Sequence, residues 1–243
     1  MDLGLADRKV LVTGGSAGIG RAMVEAFAAE GATVAFTYFS GHEAALALAA
    51  EVGGHAIPMN LRESSSVRAA VATAVAALGR VDVLVNNALL RRQDIVAEQD
   101  LAAWQLSLRA NLEHQFLVTE LLAPPMAERG WGRIVSISSD LAENGSRGGA
   151  AYSTAKAGLH GMTRSFAWDF GPQNVLINVI MPGLTSSERQ LSNVPEDVFR
   201  RVAEGNPTGR ISSPEDIADL AVFLCSARNR NITGEFIRVT GGS

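Results

Sequence analysis

Short apolar runs alternate with longer amphipathic stretches along the whole chain. Lys9–Thr13 reads as a strand, Ile19–Glu30 as a helix and Ala32–Thr37 as a strand. Glu43–Val52 reads as a helix, His55–Asn60 as a strand, and Ser64–Leu78 as a helix opening on serines suited to capping. Val81–Val85 is a buried strand. Leu101–Arg129 is a long helical region, which Pro124 and Pro125 should bend or interrupt. Arg133–Ser138 is a strand, Tyr152–Phe170 a helix and Val175–Ile180 a strand. Pro214 opens a helix behind the cap Ser213, and Phe236–Val239 closes the series. The longest irregular stretch runs from Gly183 to about Gly209, with a short helix near Glu196–Ala203.

Strands alternating with helices predict an α/β fold with a parallel sheet covered on both faces. Right-handed crossovers make it a single doubly wound Rossmann-type domain over residues 1–243, with about seven strands and helices on both faces. A loop as long as residues 183–210 in a compact domain is expected to be functional, here as a cover over a substrate.

Composition narrows the function classes. Hydrophobic residues make up 47% and charged residues 19%, the balance of a packed core rather than a disordered chain. A net charge of −4 with no basic tract argues against nucleic acid and anionic membranes as partners. The N-terminus lacks a signal-peptide pattern and no apolar run is long enough to span a bilayer, so the expected location is the cytoplasm. Cys225 lies in an apolar run and reads as a buried core thiol. His42, His55, His114 and His160 form no metal-ligand spacing and read as structural or surface residues, so no metal is expected. Arginines number 19 and lysines only two, Lys9 and Lys156; tyrosines are also two, Tyr38 and Tyr152. A lysine in so arginine-rich a chain marks a place where an ammonium is specifically needed.

The first strand runs into Thr13-Gly14-Gly15-Ser16-Ala17-Gly18-Ile19-Gly20 and then a helix. Glycines there let the backbone turn tightly and approach a pyrophosphate at the positive helix end. This spacing resembles the classical short-chain dehydrogenase/reductase family. Asn86-Asn87-Ala88 after the fourth strand, Asn111 in the following helix and Pro182-Gly183 after the sixth strand match the family's motifs. So do Tyr152 and Lys156 in Tyr-x-x-x-Lys, with Ser139 standing 13 residues before the tyrosine.

The resemblance implies a catalytic set of Asn111, Ser139, Tyr152 and Lys156. Tyr152 and Lys156 are four apart and share a helix face. Lowering a phenol from about 10 to about 7 takes ~4 kcal/mol, and an ammonium about 5 Å away supplies ~3 kcal/mol at an effective dielectric near 20. Tyr152 would give its proton to a carbonyl oxygen as hydride arrives, Ser139 would hold that oxygen, and Asn111 would hold a water leading from Lys156 to solvent. Ser138, the neighbouring serine, points away by strand alternation. The cofactor positions implied are Gly14, Ser16, Gly18, Ile19, Gly20, Tyr38, Phe39, Ser40, Asn60, Leu61, Asn87, Ala88, Tyr152, Lys156, Pro182, Gly183, Thr185 and Ser187.

Departures from the pattern gather on the cofactor side. Leu89 replaces the glycine that usually follows Asn-Asn-Ala; a leucine there is expected to crowd the cofactor or shift the loop Leu90–Arg92, and to be strained if that position needs a positive φ. No acidic residue ends the second strand, where NAD's ribose would need one. Ala17 and Phe39 occupy the family's two common basic positions, leaving Thr37, Ser40 and backbone amides for a 2′-phosphate. NADP (NADPH) is favoured over NAD. The branch most resembled is the β-ketoacyl-acyl carrier protein reductases, which implies a small-molecule or carrier-bound keto substrate and a homotetramer built on the helices Leu101–Arg129 and Tyr152–Phe170. Arg129 is the candidate basic residue facing a carrier protein. A NAD-dependent secondary-alcohol dehydrogenase is the alternative, and a catalytically silent nucleotide-binding protein of the same fold the second.

Overall fold

In the computed structural model, which describes residues 2–90 and 100–243, every strand pairing is parallel. The strands are β1 (Lys9–Val12), β2 (Thr33–Tyr38), β3 (His55–Pro58), β4 (Val83–Asn86), β5 (Gly132–Ile137), β6 (Val175–Pro182) and β7 (Phe236–Val239). They form one seven-stranded sheet in the order β3-β2-β1-β4-β5-β6-β7. Residues of β4, β5 and β6 are buried throughout, as a parallel sheet covered on both faces demands. Register runs Phe36–Val12–Val85–Val135 across the centre.

Helices α1 (Gly18–Ala29), α2 (His42–Val52) and α10 (Pro214–Leu224) cover one face, around Val24, Phe27, Leu48 and Ile217. Helices α3 (Ser64–Leu78), α5 (His114–Glu128) and α7 (Ala150–Phe170) cover the other, around Val71, Leu122, Met126 and Phe166. The chain winds outward from β1 to β3, then crosses back to β4 on the other side of β1. That reversal opens a crevice beyond the carboxyl ends of β1 and β4, where such sheets bind ligands.

The long helical region breaks, but not at its prolines. Helix α4 (Leu101–Leu108) leads into a π turn at Arg109–Glu113 and then α5, which runs through Pro124 and Pro125 to Glu128. Each proline removes one backbone donor from α5 without ending it. At the π turn the His114 N–H reaches back five residues to Arg109 O, and the widened turn carries Asn111, which is buried. Single π turns of this kind occur mostly at functional sites.

The serines opening α3 do not cap it: its N-cap is Glu63, with no side-chain bond, and Ser66 Oγ instead accepts from Asn60 N at 2.9 Å. Ser64 lies one residue too late to cap. The irregular stretch after β6 contains α8 (Glu188–Asn193) and α9 (Glu196–Gly205), and a short α6 (Leu141–Asn144) precedes α7. Thr185 bridges Ser212, and Ser186 N donates to Ser212 O at 2.9 Å, so both ends of that excursion are tied together. Among the described residues no helix is long and apolar enough to cross a membrane.

Candidate active site

The glycine turn is held from both sides. Gly14 N donates to Thr37 Oγ1 at 3.0 Å and Gly15 N to Thr37 O at 2.9 Å. From β4, Asn87 Nδ2 donates to the carbonyls of Thr13 and Gly14, each at 3.0 Å, while Thr13 Oγ1 accepts from Asn87 N and Ala88 N. Gly14 and Gly18 have φ of 66° and 54°, where a side chain costs about 1–2 kcal/mol. A Cβ on Gly20 would stand 2.0 Å from Gly14 O.

Helix α1 then begins with no side-chain cap and no acidic residue in its first turn. Its leading N–H groups, those of Gly18, Ile19 and Gly20 among them, have no intrahelical acceptor. Ser16 sits within the turn. Ser187 comes down over Gly18, its Cβ 3.5 Å from where a Gly18 Cβ would lie. The residues present therefore fit the pyrophosphate of a dinucleotide.

Other predicted cofactor positions divide. Phe39 and Ser40 stand exposed at the end of β2, Phe39 at 66%. Tyr38 is buried, its hydroxyl 2.6 Å from His42 Nδ1. Thr37 is buried and its Oγ1 accepts from Gly14 N, so it braces the turn. Asn60 Nδ2 donates to Glu63, and Leu61 packs on the α3 core. Pro182, the last residue of β6, and Thr185 just beyond it are buried, with Thr185 Oγ1 donating to Gly183 O. A residue the sequence reading missed is Arg62, whose guanidinium carbon lies 6.0 Å from the Phe39 ring centroid. The departure at Leu89 carries no strain: the non-glycine residues with positive φ among those described are Asp7 and Asn174. Of the loop Leu90–Arg92, Arg91 and Arg92 lie outside the described residues.

Lys156 is wholly buried, and its Nζ donates to Ile137 O at 2.6 Å, tying α7 to the end of β5. The same nitrogen is 5.7 Å from the Tyr152 ring centroid. Burial lowers the Lys156 ammonium to about 7. Burial thus opposes the charge that the ammonium would bring to Tyr152. Ser138 Oγ donates to Lys156 O and so takes His160 Nε2 as its donor, away from the crevice.

Ser139 Oγ accepts from Leu141 N and donates to Asp140 Oδ1 at 3.0 Å. Asn111 has no spare amide proton: Nδ2 donates to Leu90 O and Ser107 O, and Oδ1 accepts from Leu90 N. Its side chain fixes the segment after β4.

Arg129 donates to Val81 O at 2.6 Å, before β4 begins and at the opposite end of the sheet from the glycine turn. A cavity of about 610 Å³ lined by Arg210, Asp216, Arg238 and Ser243 contains none of the predicted site residues. Cys225 is buried, and burial pushes its thiol up. Among the described residues no three His, Cys, Asp or Glu side chains gather into a metal-sized group.

Residues 14–243 match the family model described as Enoyl-(Acyl carrier protein) reductase. A 3-oxoacyl-[acyl-carrier-protein] reductase of Aquifex aeolicus is 39% identical, with 100% of this chain and 99% of that protein covered. A probable galactose dehydrogenase of Rhizobium meliloti is 40% identical (98% and 95% covered), and an acetoacetyl-CoA reductase of the same organism is 39% identical (97% and 98%). Among solved structures, a 7 alpha-hydroxysteroid dehydrogenase complexed with NADH and 7-oxo glycochenodeoxycholic acid superposes with a TM-score of 0.92 at 30% identity, covering 100% of this chain and 96% of that one.

Proposed function

Because the chain belongs to the short-chain dehydrogenase/reductase family and is an oxidoreductase of it, we propose that it is an NADPH-dependent ketoreductase with Tyr152 as proton donor. The observation that carries this reading is Lys156, buried and held to Ile137 O with its Nζ 5.7 Å from the Tyr152 ring. When charged, Lys156 favours the phenolate, by ~3 kcal/mol for charges about 5 Å apart at an effective dielectric near 20. The cofactor supplies the hydride. Its pyrophosphate would lie against the first turn of α1, with Gly14, Ser16, Gly18, Ile19 and Gly20 below it and Ser187 above.

Tyr152 then protonates the substrate oxygen, Ser139 orients that oxygen, and Lys156 restores the tyrosine's proton. Asn111 acts through the backbone of Leu90, shaping the crevice wall. Arg62 and Ser40 supply the 2′-phosphate contacts that Ala17 and Phe39 lack. The substrate is a keto-acyl thioester on a carrier protein or coenzyme A, a reading supported by the named activities of the Aquifex and Rhizobium relatives. Residues 183–210, with α8 and α9, cover it. A homotetramer built on α5 and α7 is supported by Trp168, 85% exposed, and Phe116, exposed and stacked on Phe166. The cytoplasm is the proposed location.

The second reading is a secondary-alcohol dehydrogenase using NAD. Ala17 and Phe39, which offer no charge to a 2′-phosphate, favour it, as does the NADH bound by the superposed hydroxysteroid dehydrogenase.

The test is oxidation of NADPH and NADH, in parallel, by the purified protein with keto-acyl thioesters, quinones and simple ketones. Thioester-dependent oxidation of NADPH is expected, abolished in Tyr152→Phe with the fold and nucleotide binding kept. Full turnover by Tyr152→Phe overturns the assignment of the proton donor.

A further inference from the structure

Lys156 is gripped at both ends from the end of β5. Its Nζ donates to Ile137 O at 2.6 Å, and its backbone O accepts from Ser138 Oγ at 3.1 Å. Ser139 follows directly in the chain. Ser138 is 3% exposed, and its hydroxyl has a single proton. That proton serves Lys156 O, so His160 Nε2, 3.1 Å from Ser138 Oγ, is the donor of the second bond.

His160 stands one turn beyond Lys156 on α7 and is half-buried. Its ring stacks on Phe236 of β7, with centroids 4.4 Å apart. Burial lowers the imidazole from its ordinary value, while Glu143 of α6 opposes and Arg164 of α7 assists. Both charges are engaged elsewhere: Glu143 pairs with Arg238 of β7 at 3.1 Å, and Arg164 lies over the Phe236 ring. A neutral imidazole has one N–H, and the bond to Ser138 puts it on Nε2. A ring without that proton would draw the Ser138 hydroxyl away from Lys156 O. The imidazolium keeps the Nε2 proton, so acid does not break the bond.

We propose that His160 is a positioning residue: its Nε2–H holds the Ser138 hydroxyl on Lys156 O, and this grip sets Tyr152 and Lys156 against Ser139. The proposal rests on the reading of Tyr152 and Lys156 as the proton-donating pair. Without the ring's donor, Ser138 Oγ is free to turn to another staggered rotamer. Lys156 then keeps only its Nζ bond to β5. A misplacement of about 1 Å costs on the order of a hundredfold in rate, so a slackened grip costs less than that, in kcat rather than in affinity.

The experiment uses the full chain. His160→Phe keeps the stack on Phe236 and removes the donor, His160→Gln keeps an N–H at similar reach, and Ser138→Ala removes the hydroxyl. We expect kcat to fall about fivefold in His160→Phe and about tenfold in Ser138→Ala, each at unchanged KM, with His160→Gln within about twofold of wild type. The double variant Ser138→Ala/His160→Phe is expected to be no slower than Ser138→Ala, because one acts through the other. Losses that multiply in the double variant overturn the proposal. So does wild-type kcat in His160→Phe, or an equal loss in His160→Gln, which would make the ring a filler of space.

The tautomer gives a second reading that needs no folded variant at Ser138. In protein labelled with ¹⁵N-histidine, the ring shifts of His160 at neutral pH are expected to show the proton on Nε2, the four histidines being told apart by the signal lost in His160→Gln. A proton on Nδ1 overturns the proposal whatever the kinetics. If Tyr152→Phe turns over normally while the double variant remains no slower than Ser138→Ala, the proton-donor reading fails and the grip stands.

Discussion

Asn87 Nδ2 donates at once to Thr13 O and Gly14 O, each at 3.0 Å, so the end of β4 sets the shape of the glycine turn after β1. The amide is buried, and its loss leaves two carbonyls unmet. Asn87→Ala is expected to lower stability by about 2 kcal/mol and weaken nucleotide binding about tenfold. Denaturant midpoints and fluorescence titration with NADPH check both. Unchanged affinity at reduced stability would show that the turn keeps its shape without Asn87.

Lys156 carries a stability cost with a definite pH signature. Burial lowers it from 10.5 to about 7, so between these values the unfolded chain binds more protons than the folded one. Stability therefore rises with pH through that window and is poorest below about 7. Lys156→Met removes the cost. It is expected to abolish turnover yet raise stability at pH 6 by about 1–3 kcal/mol, with the gain gone above pH 10.5. Melting curves across pH decide it; a variant less stable than wild type at pH 6 refutes the sign.

Features set by neighbours in sequence were the legible ones. Ser213 and Asp216 make the reciprocal cap that the Ser-Pro opening of α10 announces, and the glycine turn lies where its spacing puts it. What escaped depends on contacts between distant segments. Thr37 looks like a free hydroxyl at a strand end, but the pairing of Val12 with Phe36 turns it into the acceptor for Gly14 N. The π turn arises where Asn111 must reach the Leu90 backbone, and no residue within Arg109–Glu113 signals it. Pro124 and Pro125 look like breakers, yet α5, packed on the sheet through Leu122, Ala123 and Met126, runs through them with two backbone donors missing. The buried environment of Lys156 and His114 exists only once α5 and α7 pack on β5 and β6.

Arg62 stands over Phe39 from the loop after β3, at the edge where the family's usual cations are missing. Arg62→Ala is expected to raise KM for NADPH about tenfold, ~1.4 kcal/mol, and to leave KM for NADH within twofold. Steady-state kinetics with both cofactors measure the ratio. Equal losses for the two would place Arg62 on the shared adenosine moiety rather than the 2′-phosphate.

Ser139 has one proton, and Asp140 Oδ1 takes it at 3.0 Å. A ketone oxygen can receive that proton only by displacing the carboxylate, and a hydrogen bond to a charged acceptor is worth about 1.5–3 kcal/mol. The carboxylate also faces the charge that develops on the substrate oxygen. Both effects oppose reduction, while Leu141 N still holds Ser139 Oγ without help from the acid. Asp140→Ala is therefore expected to raise kcat/KM for ketone reduction about fivefold or more. The reverse reaction is expected to gain by the same factor, because both directions pass through one transition state and the overall equilibrium is fixed. Initial rates in both directions at pH 7 test this. A fall in ketone reduction would mean that Asp140 orients the Ser139 hydroxyl toward the substrate, and that its charge is outweighed by that alignment.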